Sequence, residues 1–172
     1  MASFVRWLLI GLGILIGLVM LAFVTFFVIR PEVLRLRDDP RHAASVFDGV
    51  VPYEAVLETR RWHRRGVEHW DCSFAIVELS DDAPPDPPEP TEGREWYRYY
   101  GGDWQPTPAA PLGDTTRDAL DFCGQYWSET LNSALDSAMT QPGSWYARDR
   151  VGETLHLYSA PQRIAARIRY GD

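Results

Sequence analysis

Residues 7–29, WLLIGLGILIGLVMLAFVTFFVI, carry no charged side chain and, beside the glycines and Thr25, nothing that is not apolar. A helix of that length reaches about 34 Å at roughly 1.5 Å per residue, enough to cross a hydrocarbon core of about 30 Å with modest tilt. The run predicts a membrane span. Its end, Phe26-Phe27-Val28-Ile29-Arg30-Pro31, is bulky where a signal peptidase needs small residues at two spaced positions, so the segment reads as a retained anchor rather than a cleaved signal. Gly11 to Gly17 do not make a dinucleotide loop, because such a loop follows a strand and opens an amphipathic helix. Gly13 and Gly17, one helical turn apart, are instead a candidate face for close packing of a second helix, and hence for a helix-mediated oligomer.

Two rules disagree about the side on which the rest of the chain lies. Arg30, Arg35, Arg37 and Arg41 follow the span while only Arg6 and the amino terminus precede it, an asymmetry that favours the cytoplasm. The export-like N-terminal segment and a pair of cysteines suited to an oxidising compartment favour the other side. The expectation is a single-pass protein of the cell membrane with an extracytoplasmic domain. Its divisions read as an anchor over 1–30, a juxtamembrane neck over 31–50 and a soluble α+β domain over 51–172. That domain is large enough to bury a core unaided. The net charge of -7 argues against nonspecific nucleic-acid binding, which needs a broadly basic surface, and leaves membrane lipid and other membrane proteins as expected partners.

Along the domain, Asp38-Asp39-Pro40 opens a short helix that Gly49 closes. Residues 54–63 and 67–79 read as strands around Arg64-Arg65-Gly66, with Trp70, Cys72, Phe74 and Ile76 on one face. The proline-rich acidic segment 80–95 reads as an extended, exposed loop. Trp96 to Tyr100 predict a strand and Gly101-Gly102 a turn. A helix capped by Asp114, Thr115 or Thr116 should run to about Met139, since Leu120, Cys123, Trp127, Leu131, Ala134, Leu135 and Ala138 recur on one face. Three strands follow at about 144–150, 153–159 and 162–170. The last alternates, with Ile164, Ala166, Ile168 and Tyr170 inward and Arg163, Arg167 and Arg169 outward to water. One long helix packed on an antiparallel sheet is the expected architecture.

Chemistry-bearing residues are few. Cys72 on a strand face and Cys123 on the buried helix face should meet as a disulfide. His42, His63, His69 and His156 lack the tight pair spacing of metal ligands, so neither a metal nor another cofactor is expected. No Gly-x-Ser-x-Gly elbow is present, and the acids concentrate in the loop, where a wetted carboxylate has little reason to acquire a shifted pKa. Catalysis is therefore not expected. Arg60, Arg61, Arg64 and Arg65, with Trp96, Tyr97, Tyr99, Tyr100 and Trp104, form a candidate interaction patch for anionic lipid, an acidic partner or a stacked ligand. The leading expectation is a noncatalytic accessory or assembly protein. A ligand-binding or sensing domain, for example for cell-wall material, stands second, and a tethered enzyme last.

Overall fold

The computed structural model describes residues 2–25, 40–61, 72–91, 93–112, 118–149 and 151–171. The chain divides into two compact units, 1–37 and 38–172. The first holds α1 (Ala2–Val24), whose window Val5–Val24 has a mean hydropathy of 2.7 and no buried share. By length and composition this helix can cross a membrane. A Cβ at Gly13 or Gly17 would meet nothing within 4 Å, so that face of α1 is open.

The second unit is α+β. α2 (Pro40–Phe47) leads into β1 (Tyr53–Arg60) and β2 (Cys72–Leu79); β3 (Gln105–Pro106) precedes α3 (Ala119–Cys123) and α4 (Glu129–Thr140), and β4 (Ser144–Arg148), β5 (Thr154–Ser159) and β6 (Ile164–Tyr170) close the chain. All pairings are antiparallel, in the order β1-β2-β6-β5-β4-β3. The sheet has apolar layers on both faces. Phe74, Ile76, Leu155, Leu157, Ile164, Ala166, Ile168 and Tyr170 pack against Leu120, Cys123, Trp127, Leu135, Ala138 and Met139 of the α3–α4 region. Ala75, Val77, Leu79, Tyr158 and Ala165 pack on the opposite face with Ala43, Val46 and Phe47 of α2 and with Tyr100.

Three expectations change here. The single long helix is two short ones: α3 passes into a 3-10 turn at Gly124–Tyr126, Trp127 is extended, and Ser128 caps α4 by accepting from the Leu131 N–H at 3.2 Å. A serine in extended conformation offers the backbone this local bond and so restarts the helix, although the apolar spacing runs straight through. Asp118 caps α3, accepting from the Leu120 N–H at 3.0 Å, whereas Asp114, Thr115 and Thr116 lie outside the described residues. Trp96 to Tyr100 form turns rather than a strand, and the strand that follows them is only Gln105–Pro106.

The third change concerns the face of β6 that carries Arg167: the described residues of 80–95 form the largely exposed loop expected, but segment 80–104 is tied down over that face. Trp104 Nε1 donates to the Pro88 carbonyl at 2.9 Å, Tyr158 Oη donates to the Pro84 carbonyl, and the Tyr100 N–H donates to Thr91 Oγ1 at 2.9 Å. Proline-rich chain keeps few donors of its own, so two of its free carbonyls are satisfied by side chains, Tyr158 rising from the sheet face beneath it and Trp104 from the end of the segment itself. The segment thereby roofs the face that alternation assigned to water. Arg167, expected outward, is 2 % exposed, and Arg169 is half-buried.

Candidate functional site: an arginine-lined cleft

The roof leaves a cleft of about 470 Å³ over one end of the sheet, lined by residues of the 94–103 segment and of β4, β5 and β6. Register dictates its floor. Ala147 pairs with His156 and His156 with Arg167, so these three side chains cross neighbouring strands in one row. Thr154 pairs with Arg169 in the next row on the same face. Trp96, Tyr99, Gly101, Gly102 and Asp103 supply the opposite wall.

Arg167 is held from above by backbone. Its Nε donates to the Tyr99 carbonyl at 3.0 Å and its Nη2 to the Trp96 carbonyl at 2.9 Å. Among the described residues no carboxylate forms an ion pair with it. Burial, and secondarily the neighbouring Arg169, lower its pKa to about 10, which still leaves it charged at neutral pH. Arg169 lies over the Trp96 ring, 4.3 Å from its centroid. Two further arginines are bound within the domain: Arg148 bridges Asp118 at 2.8 Å and donates to the Ala110 carbonyl at 2.9 Å, and Arg94 donates to the Val46 and Asp48 carbonyls. Burial raises the Asp118 pKa despite the opposing effects of the Leu120 N–H and Arg148.

His156 is 5 % exposed. Its Nδ1 sits against Gly101, 2.5 Å from the carbonyl oxygen and 3.1 Å from the amide nitrogen, and its Nε2 is buried without a hydrogen-bond partner among the described residues. Desolvation first, and then the charge of Arg167, push the imidazole pKa down to about 4. At neutral pH the ring is uncharged. The ring that lines the cleft is therefore a neutral hydrogen-bonding group rather than a cation, and a base this weak takes a proton poorly near pH 7. The cleft is thus equipped to hold an anion.

Gly101 makes this geometry possible, having φ 108° and an ideal Cβ position only 2.8 Å from Pro90 Cα. Alanine there meets both a disfavoured backbone and another stretch of main chain. Gly101→Ala is expected to lower stability by about 2 kcal/mol and to shift the His156 imidazole resonances. Denaturant unfolding of the full-length protein in detergent, with histidine NMR, checks it; an unchanged midpoint would show that the roof yields freely.

The residues singled out from the sequence are only partly gathered at the cleft. Cys72 and Cys123 are joined, with Cα atoms 5.7 Å apart, and lie in the helix-side core on the other face of the sheet. Trp96, 61 % exposed, and Tyr99 line the cleft. Tyr100, expected on a surface patch, is wholly buried because its hydroxyl donates to the Leu157 carbonyl at 2.7 Å and its ring packs edge-on against Phe47. Trp104 is half-buried over the same core. Arg60 stacks over Tyr126 at 3.9 Å and Arg61 over Tyr97 at 4.8 Å, so these two guanidinium groups engage the domain's own rings. Arg64, Arg65, His63 and His69 lie outside the described residues, among which no cluster of three or more potential metal-ligating side chains occurs. Sequence reasoning missed His156 and Arg167 as a pair. The available signal was an arginine and a histidine on two adjacent, largely apolar strands. No protein-family model, curated protein or solved structure matches the chain.

Proposed function

We propose that this is a single-pass membrane protein whose extracytoplasmic domain recognises another molecule without transforming it, acting as an accessory or assembly subunit with the arginine-lined cleft as its recognition face. The observation that carries this reading is the state of the cleft's polar groups. Arg167 is fixed by two backbone carbonyls and His156 is held uncharged, an arrangement preorganised for binding and poorly matched to proton transfer near neutral pH. The apolar α1 supports an anchor, and the disulfide supports an oxidising compartment. Confinement beside a membrane raises the domain's effective concentration near other membrane proteins, so modest affinities suffice. Gly13 and Gly17 supply a face within the bilayer for such neighbours, or for a second copy. The cleft also favours the narrower reading of a ligand-binding or sensing domain, because its volume falls within the range of small-molecule sites.

Gentle detergent extraction followed by identification of co-purifying proteins tests the accessory role. A reproducible complex that loosens at least severalfold in Gly13→Leu/Gly17→Leu is expected, together with a reporter fused after Asp172 that is active only outside the cytoplasm. A solitary monomer, or a reporter active only inside, contradicts the reading.

A further inference from the structure

We propose that the cleft binds a small hydroxyl-bearing oxyanion, a carboxylate or phosphate gripped by Arg167 and Arg169 while its hydroxyl donates to His156 Nε2. The assignment rests on the reading of the domain as a recognition module and names the class of molecule recognised.

The cationic side follows from the state of Arg167. Arg148 is matched by Asp118, and Arg94 is engaged by two backbone carbonyls near α2. Arg167 is different: its Nε and Nη2 meet carbonyl dipoles only, and its Nη1 forms no hydrogen bond among the described residues. A buried guanidinium without a neutralising carboxylate is a costly arrangement, relieved when an oxyanion accepts the unused donors in the planar, paired geometry that arginine favours. Arg169, stacked on Trp96, lines the same cleft beside it and adds a second positive charge.

The hydroxyl follows from His156. Nδ1 lies 2.5 Å from the Gly101 carbonyl oxygen and 3.1 Å from the Gly101 amide nitrogen; of these opposed contacts the shorter decides, because two lone pairs would not hold at 2.5 Å, so the ring proton sits on Nδ1. Nε2 is then an acceptor. It is buried, on a residue that lines the cleft, and has no hydrogen-bond partner among the described residues, and an unmet acceptor at that depth calls for a donor from whatever fills the space. A bare carboxylate or a fully ionised phosphate lacks one; a 2-hydroxy acid, a hydrogen phosphate or a sugar acid has one. Asp103 and Asp149 also line the cleft, with Asp149 accepting from the Thr154 N–H at 3.1 Å. Two carboxylates beside the arginines restrict the ligand to low charge, and a cavity of about 470 Å³ restricts it to a small molecule or one terminal group of a polymer.

The test uses the full-length protein in phosphatidylcholine nanodiscs at constant ionic strength, titrated separately with glycolate, acetate and inorganic phosphate. Trp96 fluorescence and the NMR shift of the His156 ring nitrogens report occupancy. Glycolate and phosphate are expected to bind saturably and to move Nε2, with acetate about fivefold weaker for want of the hydroxyl. Arg169→Gln should weaken glycolate about tenfold, and Arg167→Lys at least as much, since lysine keeps the charge but not the fork. Arg169 is half-buried, so its variant remains informative if the Arg167 variant unfolds. A His156 shift in phosphatidylglycerol nanodiscs without added anion identifies a lipid headgroup as the source of the oxyanion and supports the site. An unmoved Nε2 with all three anions, or glycolate affinity unaltered by Arg169→Gln, overturns it. Failure here leaves a recognition module for larger partners standing, whereas saturable binding accompanied by chemical change of the glycolate upholds the site and overturns the noncatalytic role.

Discussion

Cys72→Ala/Cys123→Ala is expected to lower the stability of the 38–172 unit by about 4 kcal/mol, the chain-entropy estimate for a bridge closing a loop of 51 residues. That is a large part of the roughly 5–15 kcal/mol by which domains are held folded. The bridge joins elements that would otherwise separate easily. α3 has only five residues, far below the length at which a helix holds itself, while β2 is an inner strand paired to β1 and β6. Both cysteines are fully buried in the layer that contains Phe74, Leu120 and Trp127, so reduction also frees this layer to open from its helix side. Alanine is the right replacement, because serine would bury a hydroxyl. Denaturant midpoints of the oxidised, reduced and substituted full-length protein in detergent measure the effect. Coincident midpoints would mean that apolar packing alone seats α3. A dependence of that size would make the domain poorly suited to a reducing cytosol, and thiol trapping in membranes tests that directly.

What could be read from the sequence, and what could not, divides along the range of the forces involved. The apolar run, the sheet strands after residue 144 and the partnership of Cys72 with Cys123 were legible because each rests on local periodicity or on two faces that must meet. α3 and α4 were legible as one apolar stripe but not as two helices. The stripe continues across Trp127, while the break depends on a single serine accepting a backbone bond. The cleft was illegible for a different reason. Alternation in β6 placed Arg167 correctly on the face opposite Ile168, and the error lay in equating that face with water. Segment 80–104 has the composition of exposed chain, and its docking depends on Tyr158 of β5 meeting the Pro84 carbonyl far away in sequence, with Trp104 tying the segment to its own Pro88. No window of neighbouring residues contains that information. The same burial that hid the site also gives it its chemistry, since desolvation neutralises His156 and encloses the charge of Arg167, which has no carboxylate partner among the described residues.

Between pH 6.5 and about 4 the domain is expected to lose about 3 kcal/mol of stability through His156, and the loss should disappear in His156→Gln. The imidazole pKa is about 4 in the folded chain against 6.5 for an unperturbed group. Within that window the unfolded chain binds the proton and the folded chain does not, so stability falls as pH falls and is independent of this group above the window. The surroundings of the ring oppose its charging. Arg167 adjoins it in register, Tyr99 and Tyr100 pack against it with centroids 5.8 Å and 5.5 Å away, and Arg94, Arg148 and Arg169 line the same cleft. The hydrogen bond to Gly101 favours charging but does not offset burial; Asp103 and Asp149 also line the cleft. Asp118 and Asp136 work against the trend at its acid end: their pKa values are raised by burial, so folding gains from their protonation there and the net slope flattens. His42 is also buried, which is why the variant, rather than the profile alone, assigns the effect. Chemical denaturation of the full-length protein across this range, compared with His156→Gln, measures it. Parallel profiles in the two proteins would show that the imidazole is protonated in the fold at mildly acidic pH. In that case Nε2 would be a donor below its pKa, and anion binding in the cleft would strengthen rather than weaken as the medium is acidified.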